Sequence, residues 1–155
     1  MVKNVFKKLG KKQKNNKGFS LVELIVVIAI MAVLVGVLAP QLIKYVEKSR
    51  EATDIQTCDN IATALKTYYA DEEVAASATA TTVTVTLSKT ELGTGTTVDT
   101  AVKDAGLTKA KIKGTKWTSD KITIVYNKAD GTITYTGDSP YYHSDKDQFK
   151  KGPKS

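Results

Sequence analysis

The first forty residues combine a polar segment with a long apolar one. Residues 1–18 are polar and have no usable apolar periodicity, whereas residues 19–39 are apolar except for Ser20, Glu23 and Gly36. As an α-helix this apolar run would be about 31 Å long at roughly 1.5 Å per residue, enough to cross a hydrocarbon core of about 30 Å. The pattern therefore predicts a membrane-spanning helix over residues 19–40.

Helical periodicity continues after the apolar run. Residues 41–76 contain no glycine or proline, and their apolar residues recur at spacings of three and four. This predicts an amphipathic helix with a single apolar stripe. The stripe consists of Ile55, Cys58, Ile61, Ala62, Leu65, Tyr68 and Tyr69. The charged residues expected on the other faces, as a solvated or subunit-facing surface, are Glu47, Lys48, Arg50, Glu51, Asp54, Asp59 and Lys66.

Gly36 and Pro40 lie where the two helical segments meet. Pro40 cannot donate a hydrogen bond to the carbonyl four residues earlier, and glycine is a poor helix former. The pair predicts a place where the helix can bend or locally open. A harmless kink, which is common in membrane helices, explains the same spacing equally well.

After residue 76 the pattern becomes that of β-strands. Residues 81–88 alternate threonine with apolar residues, as expected of a half-buried strand. Residues 121–126 and 132–136 flank a five-residue turn that ends in Asp130-Gly131, which predicts a β-hairpin. These strands predict a β-rich globular head over residues 77–137.

The rest of the head and the carboxyl-terminal tail have weaker patterns. Residues 98–105 are a candidate short helix closed by Gly106, with Ile112 on a following loop or strand. The tail, residues 138–155, is polar and contains two prolines, so it is expected to be loop grading into disorder. The predicted fold class is therefore α+β, with a long amino-terminal helix packed on a small antiparallel sheet.

Charge is distributed very unevenly along the chain. Seven of the 23 basic residues lie in residues 1–18, which contain no acidic residue, and the other 16 equal the number of acidic residues. The formal net charge of +7 therefore comes from residues 1–18, which we call the leader. This distribution argues against a globally basic DNA-binding domain. Lysines that precede an apolar helix place residue 1 in the cytoplasm and the head outside, by the positive-inside rule.

The sequence offers little catalytic or metal-binding chemistry. The single cysteine, Cys58, cannot form an intramolecular disulfide and has the character of a buried apolar residue. His143 has three aspartates near it in the tail, but without a recognised ligand spacing. We find no Ser/His/Asp set, no paired carboxylates and no phosphate-binding loop, so no enzyme, metal or cofactor is predicted.

A basic cluster surrounds the single tryptophan, Trp117. Its members are Lys109, Lys111, Lys113, Lys116 and Lys121. The cluster could contact DNA or an acidic surface, but a solvated loop with Trp117 anchoring the core is the favoured interpretation. No specific nucleic-acid partner is predicted.

Glu23 is the most informative residue of the apolar run. An acidic side chain near the centre of a bilayer costs about 2.5–3.5 kcal/mol on insertion scales, so such a residue suggests a function. A cleaved secretory signal is an alternative interpretation of the run, as is a simple uncleaved anchor. Glu23 inside the apolar region argues against a secretory signal, as does the absence of an A-x-A-like cleavage site before Pro40.

The run Lys17-Gly18-Phe19-Ser20-Leu21-Val22-Glu23-Leu24, with the apolar residues and the proline behind it, resembles the class III signal of type IV prepilins. The resemblance implies that a prepilin peptidase cuts between Gly18 and Phe19 and methylates the new amine of Phe19. It also implies that Pro40 occupies a position near which pilins lose helicity in filaments. The disulfide-closed loop of many Gram-negative pilins is missing, so the chain looks closer to the cysteine-poor pilins of Gram-positive bacteria such as clostridia.

The resemblance also suggests a partner for Glu23. In its own helix Glu23 lies one turn from the Phe19 amine and near the helix N-terminus, where an anion is favoured. In a filament its partner would be the Phe19 amine of a neighbouring subunit. Such a pair adds little net stability after desolvation, but it fixes the axial register between subunits.

Two functions are consistent with the resemblance. The first is a structural subunit that polymerises into an extracellular type IV pilus used in adhesion, surface motility or biofilm formation. The second is a pseudopilin or minor pilin of a type II secretion or DNA-uptake machine; a membrane-anchored domain that never polymerises is a third, weaker possibility. The implied partners are other copies of the chain, the peptidase and N-methyltransferase, an assembly ATPase and a membrane platform protein.

Overall fold

A computed structural model describes residues 18–70, 81–90, 92–94 and 98–154 of the chain. The described residues contain two helices and six strands, and the chain divides into two compact units at Pro40 and Gln41. The elements are α1 (Leu21–Tyr69), β1 (Thr82–Ser88), β2 (Leu92–Thr94), α2 (Val98–Asp104), a 3₁₀ turn (Thr118–Asp120), β3 (Lys121–Asn127), β4 (Ile133–Thr136), β5 (Tyr142–Asp145) and β6 (Gln148–Lys151). The α+β prediction is confirmed.

The first part of α1 is apolar around its whole circumference. Its large apolar side chains between residues 21 and 38 are 44–72% exposed, so no part of the described chain covers them. The segment has the length and composition of a membrane-crossing helix near the N-terminus. The helix also runs through Gly36 and Pro40 without a break. The helix ends at Tyr69. It was expected to continue to residue 76, and residues 71–76 lie outside the described part of the chain.

The second part of α1 buries the predicted stripe. Cys58, Ile61, Ala62, Leu65 and Tyr69 are buried. Ile55 and Tyr68 are partly buried and pack against the same core. The amphipathic interpretation of this segment is therefore confirmed.

The expectation for three acidic residues on this helix was wrong. Glu47, Glu51 and Asp54 were expected on a solvated or subunit-facing surface, but all three are buried within the head. Their spacings of four and three lead directly into Cys58, so they occupy the same helix face as the apolar stripe. We call these three residues the carboxylate stripe. A burial pattern based on hydrophobicity does not detect it, because the side chains are charged.

The head is built on an antiparallel sheet with the strand order β2-β1-β3-β4. Val85 of β1 lies opposite Ile124 of β3, which lies opposite Tyr135 of β4. All three are buried, so alternate residues of each strand supply one face of the core. The predicted 81–88 strand is confirmed, whereas the short edge strand β2 was not anticipated.

Both predicted turns of the head are confirmed. In the β3–β4 hairpin the Gly131 N–H donates to the Asn127 carbonyl at 2.9 Å, and Gly131 has a φ of +70°, which glycine adopts readily. After α2 the chain turns at Gly106, also at a φ of +70°. Ile112 then lies buried on a loop, with its N–H donating to the Ser88 carbonyl at 2.9 Å.

The tail was expected to be loop grading into disorder, and this was wrong. Strands β5 and β6 form a second, two-stranded antiparallel sheet. Its Phe149 ring lies 5.7 Å from the Trp117 ring and 5.2 Å from the Tyr135 ring, and Tyr142 is buried. Aromatic packing and backbone hydrogen bonds hold this hairpin to the head, for example the bond from the Tyr135 N–H to the Lys146 carbonyl at 2.9 Å, so its mostly polar sequence gave no strand signal.

Candidate functional site

The peptide bond between Gly18 and Phe19 lies outside the helix. Residues 18–20 are non-helical and exposed, and the Phe19 side chain is 88% exposed. The first helical hydrogen bond runs from the Leu24 N–H to the Ser20 carbonyl at 3.2 Å, so Ser20 is the N-cap residue. The predicted cleavage point therefore lies in non-helical chain two residues ahead of the helix.

Glu23 has a hydrogen-bond partner within its own helix end. Its Oε2 accepts a hydrogen bond from the Ser20 N–H at 2.9 Å. This is one half of a capping box, in which an acidic residue at the third helical position binds the N-cap N–H. The partner is therefore a peptide N–H of the same helix end.

Sequence reasoning overlooked Ser20, although a signal for it was available. Ser20-Leu21-Val22-Glu23 matches the S-x-x-E pattern that marks the start of a helix. The pattern explains why α1 begins at Leu21 although the apolar run begins at Phe19. Helix capping is thus a role for Glu23 that does not require another subunit.

The surface beside Glu23 is apolar. A shallow recess of about 320 Å³ is lined by Phe19, Val22, Glu23, Val26 and Val27. The carboxylate is the one charged group among these residues, and all five are exposed. The start of α1 therefore presents a single anionic group on an apolar helix end.

Gly36 and Pro40 remain candidates for helix flexibility. A Cβ built on Gly36 would have no heavy atom within 4 Å, so packing within the described chain does not require glycine there. Pro40 lies inside α1, where it removes one backbone donor. These properties are consistent with the predicted flexible place, which stays a prediction.

Asp54 is the centre of the carboxylate stripe. Its Oδ1 accepts a hydrogen bond from the Lys113 N–H at 2.8 Å. Its Oδ2 accepts hydrogen bonds from the Gly114 N–H at 2.7 Å and from the Trp117 indole N–H at 3.0 Å. One buried carboxylate thereby fixes the loop before the 3₁₀ turn to α1, with no basic side chain among its partners.

Glu47 and Glu51 extend these attachments along the helix. Glu47 accepts a hydrogen bond from the Thr115 N–H and lies 3.8 Å from the Arg50 guanidinium. Glu51 Oε2 accepts one from the Ser139 hydroxyl at 2.5 Å, and Ser139 Oγ itself accepts one from the Tyr142 N–H at 3.0 Å. The carboxylate stripe thus attaches both the 113–117 loop and the start of the C-terminal hairpin to α1.

Of the three carboxylates of the stripe, Glu51 has a buried oxygen that lacks a hydrogen-bond donor. Its Oε1 is buried without a hydrogen-bond partner. Burial raises the pKa of its carboxyl, and the charges of Glu47 and Asp54 raise it further, whereas the Ser139 hydrogen bond opposes the shift. A protonated Glu51 would avoid an uncompensated buried charge.

Gly114 is required by the close approach of the loop to the stripe. A Cβ on Gly114 would lie 2.7 Å from Glu51 Cγ and 2.9 Å from both Asp54 Oδ2 and Trp117 Nε1. Real Cβ atoms do not approach other atoms this closely, so a larger residue would push the loop away from α1. The glycine is explained by space, not by its backbone angles.

The remaining candidate residues have ordinary structural settings. Burial raises the pKa of the Cys58 thiol, which makes it unreactive, as expected from the sequence. His143 Nδ1 lies 2.9 Å from the Gly152 carbonyl oxygen. Among the described residues no three histidine, cysteine or acidic side chains are grouped as metal ligands would be. Trp117 is buried in the core, as predicted.

Comparisons with known proteins match the beginning of the chain. Residues 13–39 match the model of the prokaryotic N-terminal methylation motif. The chain is also 39% identical over 71 residues to prepilin peptidase-dependent protein A of Clostridium perfringens. That alignment covers 44% of this chain and 50% of the relative, so the chain spans about half the length of the relative it matches. No solved structure matches significantly.

The matched sequence motif and the described fold are consistent with each other. The matched motif ends within the exposed apolar half of α1, and the described fold is a long helix with small antiparallel sheets. Both similarities point to a structural protein and not to an enzyme. The chain therefore carries the class III signal, the prokaryotic N-terminal methylation motif, at the start of a type IV pilin-like fold.

Proposed function

We propose that this chain is a prepilin whose mature form polymerises through α1 into an extracellular type IV pilus. A prepilin peptidase would cut between Gly18 and Phe19 and methylate the amine of Phe19. The observation that carries the proposal is the apolar first half of α1, which no described residue covers and which directly follows the methylation motif. Such a surface has to be covered by lipid before assembly and by other helices afterwards.

The geometry at the start of α1 supports processing at this bond. A protease needs a substrate peptide bond that is accessible and not held in a helix, and residues 18–20 meet both conditions. Before cleavage the chain would lie in the cytoplasmic membrane with residue 1 inside and the head outside. The peptidase, an assembly ATPase and a membrane platform protein would be its partners during export and assembly.

The assembly role of Glu23 follows from what cleavage changes. Before cleavage Glu23 binds the Ser20 N–H, and the nitrogen of Phe19 is an uncharged peptide amide. Cleavage would create a cationic amine on Phe19, which a carboxylate of a neighbouring subunit in an apolar surrounding would attract strongly. An incoming subunit would then be held at the axial offset at which both charges are neutralised.

Mass spectrometry of the surface-exposed protein tests the processing step. The expected amino-terminal residue is N-methyl-Phe19, with residues 1–18 absent. Surface protein that retains Met1 would contradict the proposal.

Electron microscopy of material sheared from cells, labelled with an antibody against the head, tests polymerisation. We expect long fibres labelled along their length. Processed protein without such fibres would instead indicate a pseudopilin or minor pilin of a secretion or DNA-uptake machine.

A further inference from the structure

A notch lies where the beginning of the second part of α1 meets the start of the C-terminal hairpin. It has a volume of about 390 Å³ and is lined by Gln41, Lys44, Tyr45, Lys48 and Tyr141. The four helix residues occupy positions i, i+3, i+4 and i+7, so they lie on one face of α1. All five belong to the compact unit that begins at Gln41. We call these five residues the tyrosine notch.

The hairpin side of the tyrosine notch is fixed to α1 by hydrogen bonds. The Tyr141 N–H donates to Ser139 Oγ at 3.1 Å, and the Tyr141 carbonyl accepts from the Gly152 N–H at 2.7 Å. The Ser139 hydroxyl in turn donates to Glu51 of the carboxylate stripe. The two sides of the notch are therefore held together before any partner binds, which lowers the entropy lost on binding.

The two lysines of the notch have no anionic partner among the described residues. Lys44 and Lys48 are exposed, and none of the ion pairs in the described ranges includes either of them. The acidic residues nearest in sequence, Glu47 and Glu51, are buried and accept hydrogen bonds from the head instead. Like charges four residues apart on a helix repel each other. An anion bound between the two ammonium groups would remove this repulsion.

The surface around the lysines is apolar. Leu42, Ile43 and Tyr45 are 63–70% exposed, and Val46 is 43% exposed. A purely acidic partner would leave these side chains in water. A partner that offers both anionic groups and an apolar layer is the surface of a phospholipid bilayer, which binds basic and apolar side chains together. Tyrosine is also enriched at the level of the lipid headgroups.

The position of the notch along the chain fits this partner. The apolar run ends at Ala39, and Lys44 follows five residues later, which is about 7.5 Å of helix at roughly 1.5 Å per residue. The headgroup layer is about 5–7 Å thick on each side of the hydrocarbon core. Side chains on a helix lean toward its N-terminus, so Lys48, one turn further on, leans back toward the same layer.

We therefore propose that the tyrosine notch binds the phosphate of an anionic phospholipid in the bilayer that α1 crosses. Lys44 and Lys48 donate to the phosphate oxygens, and the rings of Tyr45 and Tyr141 lie at the level of the headgroups. The proposal rests on the proposed function in one respect, which is that α1 lies in a bilayer before assembly. Its consequence is that the C-terminal hairpin holds the unassembled head on the membrane surface.

The first test locates the notch relative to the bilayer. The full chain is reconstituted in phosphatidylglycerol vesicles whose acyl chains are brominated near the glycerol backbone, and tryptophan quenching is measured. We expect strong quenching of Tyr45→Trp and Tyr141→Trp. The matched control is Tyr68→Trp, near the other end of the amphipathic segment, which should be quenched no more than the unmodified chain. Trp117 is buried and gives every variant the same background.

The second test compares two variants that each lose two positive charges. Binding of short-chain phosphatidylglycerol to the full chain in nonionic detergent is measured by native mass spectrometry. K44Q/K48Q should bind the lipid at least about tenfold more weakly, because each lysine near an anionic lipid surface contributes to binding. The control K66Q/K109Q, at two other exposed lysines, should bind like the unmodified chain. Diacylglycerol of the same chain length lacks the phosphate and should not distinguish the variants.

Unchanged Trp117 fluorescence would show that both lysine variants are folded. The proposal would be overturned if Tyr141→Trp were quenched no more than Tyr68→Trp, or if the two lysine variants bound phosphatidylglycerol equally. Protection of Lys44 and Lys48 from acetylation in fibres but not in vesicles would also overturn it, since the occupant would then be a neighbouring subunit.

Extraction of the vesicles with alkaline carbonate separates failure of this proposal from failure of the proposed function. A chain that stays in the vesicles while the notch fails either test keeps the membrane stage of the proposed function. A chain that carbonate removes from the vesicles does not span them, which would contradict both proposals.

Discussion

In the first half of α1 apolar side chains cover the whole circumference of the helix, whereas in the second half they form one stripe. The first half is exposed throughout the described structure, and the second is buried against the head along that stripe. One continuous helix therefore carries two different surfaces. The first surface needs lipid or other helices, and the second has its partner within its own chain.

The carboxylates of the two halves also receive their hydrogen bonds from different parts of the chain. Glu23 binds an N–H of its own helix end, three residues away. Asp54 binds N–H groups that lie 59 to 63 residues later in the chain. In neither case is a lysine or arginine side chain among the partners. The difference teaches that a carboxylate in an apolar setting can be stabilised by backbone donors, either locally or across the fold.

The largest effect is expected at Glu23. Glu23→Val should leave membrane insertion intact, abolish surface fibres and reduce methylation of Phe19, because both the helix cap and the charge are lost. Microscopy of sheared material and mass spectrometry of the amino terminus measure the two outcomes.

Glu23→Gln separates the two roles of that side chain. Glutamine keeps an acceptor for the Ser20 N–H but carries no charge. Loss of fibres in both variants would assign assembly to the charge. Normal fibres in Glu23→Gln would assign it to the helix cap and would refute pairing with the Phe19 amine.

The next largest effect is expected at Asp54. Asp54→Ala leaves three N–H donors without their acceptor, so we expect the free energy of unfolding of the head to fall by about 3–5 kcal/mol. Urea unfolding followed by Trp117 fluorescence measures this, since Trp117 is the single tryptophan. Gln56→Ala, an exposed change on the same helix, should stay within about 0.5 kcal/mol of the unmodified protein. A similar loss in both variants would contradict a special role for Asp54.

A smaller effect is expected at Gly114. The Cβ of Gly114→Ala would collide with Glu51 and Asp54, so the loop has to shift at a cost of about 1–3 kcal/mol. Thr115→Ala is the matched control, because the Thr115 side chain is exposed and its N–H still donates to Glu47. The same urea titration compares them. Equal stability of the two variants would mean that the close approach at residue 114 is unimportant.

The smallest effect is expected at Glu51 and depends on pH. Because the folded-state pKa is raised, its contribution to stability is complete below the ordinary glutamate pKa of about 4.3 and is lost as pH rises through the folded value. Glu51→Gln removes this titration. The stability of the unmodified protein minus that of the variant should therefore fall as pH rises over this range. A difference independent of pH would show that folding does not raise the pKa of Glu51.

Much of the head was predictable because its signals are local. The alternation in β1 and the Asp130-Gly131 turn each depend on residues within one element, and both appear as expected. The C-terminal hairpin was missed because its contacts are with residues distant in sequence: Phe149 packs on Trp117 and Tyr135, and Ser139 donates to Glu51. The capping box at Ser20 was local and could have been found from its S-x-x-E pattern.

By itself the sequence determined the apolar run, the methylation motif, the stripe from Ile55 to Tyr69 and the β3–β4 hairpin. These features depend on the order of neighbouring residues, through helical and strand periodicity and through turn chemistry. Only the tertiary structure decided that Glu47, Glu51 and Asp54 are buried. Burial of a charged side chain depends on donors from distant residues, which no local pattern specifies.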